Sequence, residues 1–245
     1  MQIVTETINC QEFDRNTKRS RPFTVVKVIF NYQSSEEDKK LLDDFIVKGT
    51  ELAQAVNRGA ANDSQNVRNM PRVTNNCVAG LIAEYVWKYH LNSEKEVVKE
   101  TEMEDIKAQI DLKILHNDKN IEVRSSFPRN GIKFAVCSSA YQFDIIGGYS
   151  NTYKPGEVQK DFYIRTLFPF QSSQFMDKVK QDNFEVYLTG GATWSMMGDP
   201  QVAKNKHFIP EDEIDASRLD TGSSYRVVPF SNALDTVEVS ELIKK

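Results

Sequence analysis

The chain has 245 residues, 40% hydrophobic and 27% charged, an ordinary globular mixture long enough to bury a sizeable core in one large domain. No run approaches 18 apolar residues and the N-terminal 19 carry no apolar segment of signal type, so the sequence reads as a soluble, cytoplasmic protein without a membrane span. A formal net charge of -4 counts mildly against a surface given over to phosphate binding, and Cys10, Cys77 and Cys137, widely spaced with no CxxC pair, argue against a disulfide framework and a zinc site.

In chain order, residues 23–31 (FTVVKVIFN) are β-branched, aromatic and nearly all apolar, which predicts a strand. A helix follows: Ser34 or Ser35 can cap it, Glu36, Glu37 and Asp38 complement its dipole, and Leu41, Leu42, Phe45, Ile46, Leu52 and Val56 carry it towards Asn57. Residues 59–71 (GAANDSQNVRNMP) have no apolar period and read as a surface loop; beside a cleft, their Asn, Gln and Arg side chains could also meet bases or phosphates. The helix expected over residues 72–92 is apolar nearly all round. At 100° per residue Val73, Cys77, Gly80, Leu81 and Glu84 share a stripe, and a carboxylate there is costly unless paired, with Lys88 in reach, or metal-bound.

Residues 108–126 (AQIDLKILHNDKNIEVRSS) hold the chemistry. Ile110, Leu112 and Ile114 alternate with polar neighbours, HNDKN is turn-forming, and Ile121 and Val123 alternate with Glu122 and Arg124. With the turn centred near Asn117 and Asp118, Asp111 lies opposite Arg124 with Glu122 on the diagonal, all on one face. A slip of one residue would turn Asp111 away from Glu122. Two carboxylates beside a cation suit Mg2+, which takes oxygen ligands and needs only one or two carboxylates plus water and phosphate; the same pattern also describes a solvated hairpin face.

These residues resemble the PD-(D/E)XK, or restriction-endonuclease-like, nuclease superfamily, over about residues 72–168. In that family an Asp on one strand and a Glu-x-Lys on the next carry the metal site, commonly after a helix bearing a Glu. Asp111, Glu122-Val123-Arg124 and Glu84 match those places, while Ile110 replaces the family's Pro and Arg124 its Lys. The resemblance implies Asp111, Glu122 and Glu84 as Mg2+ ligands, with Arg124 as a fourth catalytic residue that stabilises charge, since a guanidinium cannot serve as general base. Lys113 or Lys133 could stand in for the lysine. It further implies Mg2+-dependent cleavage of double-stranded DNA, most like a type II restriction enzyme. The alternatives are a non-catalytic DNA-binding or assembly protein that keeps the fold and a nonspecific repair or defence nuclease.

Downstream, strands are expected over residues 131–136 and 143–146, the latter ending at Gly147-Gly148, where a bend or a close backbone approach is expected. Residues 149–160 are turn-rich, a strand restarts at Asp161, a short amphipathic helix fits residues 171–182, and strands fit 184–188 and 225–230. Residues 196–215 read as irregular, and 236–243 as a closing strand or short helix. Basic groups at residues 15–21, at Arg68 and Arg72, and at Lys154, Lys160 and Arg165 read as solvated patches. The expectation is a single α/β domain over residues 1–245, a central mixed β-sheet flanked by helices (core about 23–190) with a C-terminal elaboration over about 191–245. One candidate site and no internal repeat imply a homodimer for cutting both strands, with Trp194, Met196 and Met197 as a candidate interface.

Overall fold

Alternation builds the first strand pair of the computed structural model, which describes residues 1–10, 22–55, 69–101, 111–128, 130–138, 144–150, 159–207 and 224–245. QIVTETI forms β1 (Gln2–Ile8), a strand not expected from the sequence, antiparallel to β2 (Phe23–Phe30) in the register Gln2↔Ile29. Helix α1 (Glu36–Ala55) starts where expected, with the Ser35 hydroxyl accepting from the Asp38 amide at 3.2 Å. Helix α2 (Met70–Leu91) is capped by Asn69, whose side chain accepts from the Arg72 amide, and has Pro71 in its first turn, so Met70 and Pro71 belong to the helix; residues 59–68 of the expected loop lie outside the described residues.

A meander follows: β3 (Val98–Glu100), β4 (Leu112–Ile114) and β5 (Asn120–Ser126). Residues 108–110 of the expected hairpin lie outside the described residues. Next come α3 (Gly131–Cys137), β6 (Ile145–Ser150), β7 (Phe162–Leu167), a short 3-10 turn running into α4 (Phe175–Lys178), and β8 (Phe184–Thr193). The chain closes with α5 (Trp194–Gly198), β9 (Lys204–His207), β10 (Ser224–Val228) and α6 (Thr236–Lys244). The central sheet has seven strands in the order β1-β2-β8-β7-β5-β4-β3, antiparallel except for the parallel pair β5–β7, and a three-stranded sheet runs β6-β10-β9.

Strand alternation divides the core in two. Val26, Val28, Phe30, Ile121, Val123, Phe162 and Ile164 face α1, α2, α4 and α6, and Phe23, Val25, Tyr163 and Leu167 face α3, α5 and the small sheet. The fold is thus α/β, a mixed seven-stranded sheet flanked by helices. Among the described residues no helix is long and apolar enough to cross a membrane.

Several expectations give way. Residues 131–137 are a helix, because Ile132, Ala135 and Val136 are buried at helical spacing; in so short an apolar run the two periods look alike. Within 171–182 the α-helix is only Phe175–Lys178, and 196–215 contains the end of α5 and all of β9. The strand expected to end at Gly147-Gly148 continues through it, and a Cβ on Gly147 would crowd the Met197 sulfur and the Arg226 carbonyl, the close approach that the glycine pair predicted. The tail is the helix α6. Residues 151–158 of the turn-rich segment are outside the described residues. The cysteines are a correction: Cys10 and Cys137, 127 positions apart, form a disulfide that joins the end of β1 to the end of α3, a pairing that sequence spacing cannot reveal.

Candidate active site at the head of the β4–β5 hairpin

The hairpin turn is centred one residue earlier than expected, between His116 and Asn117. Ile114 donates to the Lys119 carbonyl at 2.8 Å, the Asn117 side chain accepts from the Lys119 amide, and Asp118 takes a positive φ of 58°. The resulting register is Leu112↔Ile121 and Lys113↔Asn120. Carried one step past the strand, it sets Asp111 across from Glu122 rather than from Arg124. The shift of two residues keeps every side chain on its expected face and brings the two carboxylates closer to being direct partners. Asp111 is pinned there, its carboxylate accepting from the Val123 amide at 2.6 Å and its carbonyl from the Thr101 amide at 3.4 Å.

Glu122 is buried at the centre of the group. Its Oε1 lies 3.1 Å from Arg124 Nη2, and its Oε2, which makes no hydrogen bond, lies 3.5 Å from Lys160 Nζ. Lys160 and Arg165 are each 1% exposed and so belong to no solvated patch, contrary to the expectation from sequence; Arg165 Nη2 donates to Ser126 Oγ at 2.7 Å. The sheet explains Lys160: Asp161 bonds in both directions to Asn120, at 2.9 Å each way, which holds residue 160 at the mouth of the parallel pair. The two lysines considered from sequence lie elsewhere. Lys113 pairs with Asp118 at the turn, and Lys133 is on the exposed side of α3.

Helix α2 supplies Glu84, but not from the stripe expected. Its most buried face runs through Asn75, Val78, Ala79, Ile82, Ala83 and Val86, and Glu84 stands half-buried at its margin. Lys88 does not pair with it; Lys88 Nζ bonds to Glu100 at 2.6 Å. Burial, and then the carboxylates of Glu100 and Glu122, push the Glu84 carboxyl up to about 8. Asp111 is raised well above the ordinary carboxylate range by burial, then by Glu122 and Glu84, against the opposing pull of the Val123 amide and Arg124. The three carboxyl groups therefore feel one another's charge.

Among the described residues no three His, Cys, Asp or Glu side chains close into a ready cation cage. The donor set does fit the smaller demand of Mg2+: two facing carboxylates, one with a buried oxygen that makes no hydrogen bond, and a third whose repulsion a divalent cation would relieve. No family model and no solved structure matches the chain. Among curated proteins it is similar to an uncharacterized protein of Methanocaldococcus jannaschii, 23% identical over 265 residues that take in 91% of this chain and 86% of that protein.

Proposed function

We propose that the protein is a Mg2+-dependent endonuclease acting on double-stranded DNA, most like a type II restriction enzyme. The observation that carries this reading is that Asp111 and Glu122 face each other across the hairpin while a buried lysine, Lys160, reaches the Glu122 carboxylate from the segment that leads into β7. That arrangement provides an Asp, a Glu and a Lys, the three groups of the resemblance, although the lysine comes from outside the Glu-x-Lys tripeptide.

Asp111 and Glu122 would hold the ion, with Glu84 behind them to take an outer water. When bound, the ion supplies Lewis acidity at the phosphate and acidifies water. Arg124 and Lys160, fixed on either oxygen of Glu122, offset negative charge that develops on the phosphoryl oxygens. Arg124 cannot accept a proton, so it orients and stabilises only.

A second reading, a non-catalytic DNA-binding or assembly protein, is favoured by one observation: Glu122 already carries two cations, as it would in a purely structural ion cluster. Supercoiled plasmid incubated with and without Mg2+ separates the two. Cleavage by the native chain, lost by about 100-fold or more in Asp111→Ala with little change in melting temperature and in Glu122→Gln at a temperature where that less stable variant is still folded, is the expected result. Intact plasmid that is nonetheless bound supports the second reading. Discrete fragments indicate a site-specific enzyme and a smear a nonspecific one.

A further inference from the structure

Among the described residues Trp194, 43% exposed, carries the most exposed tryptophan ring. Ser195, Gly198, Asp199 and Pro200 around it are exposed and polar or small, Met196 is partly covered, and Met197 is core. A single ring of this kind is too little apolar area for a stable dimer interface. The backbone that carries it is nevertheless anchored. The Trp194 amide donates to the Asp161 carbonyl at 2.8 Å, one rung beyond Phe162↔Thr193, and the Thr193 hydroxyl caps the short helix that Trp194 opens.

Asp161 is the neighbour of Lys160, so one dipeptide touches Trp194 on one side and the Glu122 carboxylate on the other. In the sheet, Glu122, Tyr163 and Ala192 form one rung, and Trp194 follows Ala192 by two residues. β5 and β8 are two strand spacings apart, and with the two-residue offset along the strand the backbones of Glu122 and Trp194 lie about 12 Å apart.

We propose that Trp194 is a stacking platform for an unpaired nucleobase close to the scissile phosphate, so that the substrate strand is unstacked where it crosses the site. This rests on the nuclease reading and deepens it. An indole offers a flat face to any base, but the bases of an intact duplex are already stacked on one another. The unpaired base comes either from a single strand or from a duplex opened at the site.

The two tryptophans of the chain make the test direct, because Trp87 is fully buried and the quenchable emission belongs to Trp194. In EDTA, where no cleavage is needed, titration with oligo-dT of about twelve nucleotides should quench Trp194, and Trp194→Ala should weaken binding about five- to hundred-fold while Trp194→Phe restores most of it. A duplex with a central unpaired stretch should behave likewise, and a fully paired duplex should show far less dependence on Trp194. Equal dependence for paired and unpaired probes overturns the proposal. So does unchanged binding by Trp194→Ala, or a change in sedimentation that shows the ring to be a contact between copies. Cleavage of plasmid with Trp194→Ala at native affinity sinks the platform and leaves the nuclease reading standing; Trp194-dependent binding without cleavage in Mg2+ does the reverse; a native chain that binds neither probe removes both.

Discussion

Glu84 and Lys160 carry the sharpest consequences at the scale of the residue. The Glu84 carboxyl, pushed up to about 8, stays protonated at neutral pH in the folded chain and returns towards 4.5 on unfolding. Between those values the folded state binds more protons, so the contribution of Glu84 to stability is fully present below the lower value and is lost as pH rises through the upper one. Glu84→Gln, which cannot ionise, should melt above the native chain at pH 8 in EDTA and converge with it near pH 4, while Mg2+-dependent cleavage falls. Parallel melting curves across that range would remove the electrostatic account. Lys160→Gln should lower stability by about 3 kcal/mol in urea titration, the low end for breaking a buried ion pair because Arg124 still faces Glu122, and Lys160→Arg should recover most of it. The shared face of Asp111 and Glu122 was legible because alternation sets it and the register found differs from the expected one by two residues, which leaves faces unchanged. Lys160 was not, since nothing local distinguishes a buried cation from a solvated one, and only the parallel pairing brings it to Glu122.

At the scale of the element, the ends of strands and helices were less legible than their middles. β2, α1, α2 and β7 follow strong local patterns, whereas α3 and β9 are short and take their form from what they pack against. The C-terminal tail was ambiguous between strand and helix for the same reason, and two devices settle it. Asp235 and Glu238 form a reciprocal capping box at the start of α6, and the preceding Leu234 pairs with Gly191 in both directions, at 2.9 and 3.0 Å. The pairing needs Gly190, which has a φ of +76° and would bring any Cβ into the Leu234 carbonyl oxygen. Gly190→Ala should therefore destabilise by about 3 kcal/mol or more, read from the urea midpoint. A loss below about 1 kcal/mol would mean that the tail docks through α6 alone.

Across the whole molecule, the disulfide is the largest single constraint on the unfolded chain. Closing a loop over the 127-residue separation between Cys10 and Cys137 lowers the entropy of the unfolded state, worth about 5 kcal/mol in the chain-entropy picture. Both cysteines are buried, so mild reductant should act only once the chain opens, and the fully reduced protein should unfold at markedly lower urea. An unchanged midpoint after verified reduction would show that packing between β1 and α3 suffices. The proposed cleavage of both strands, with one site per chain, predicts a homodimer, and sedimentation with DNA checks it. Of the three residues expected at the interface, Trp194 is exposed but Met197 lies in the core, because the short helix α5 turns it inward.

The parallel pair β5–β7 also sets an order of events. Antiparallel neighbours such as β4 and β5 can zip from a tight turn, but β7 reaches β5 only after the chain between them, with α3 and β6, has been laid down. Loop-closure entropy makes such non-local pairing slow relative to the hairpin. The carboxylates therefore assemble before their lysine arrives, and a growing or half-folded chain carries acidic groups without the cation that completes them. On the proposed nuclease reading, activity after dilution from urea with the disulfide intact should return with the phase that joins β7 to β5 rather than with the first gain of secondary structure.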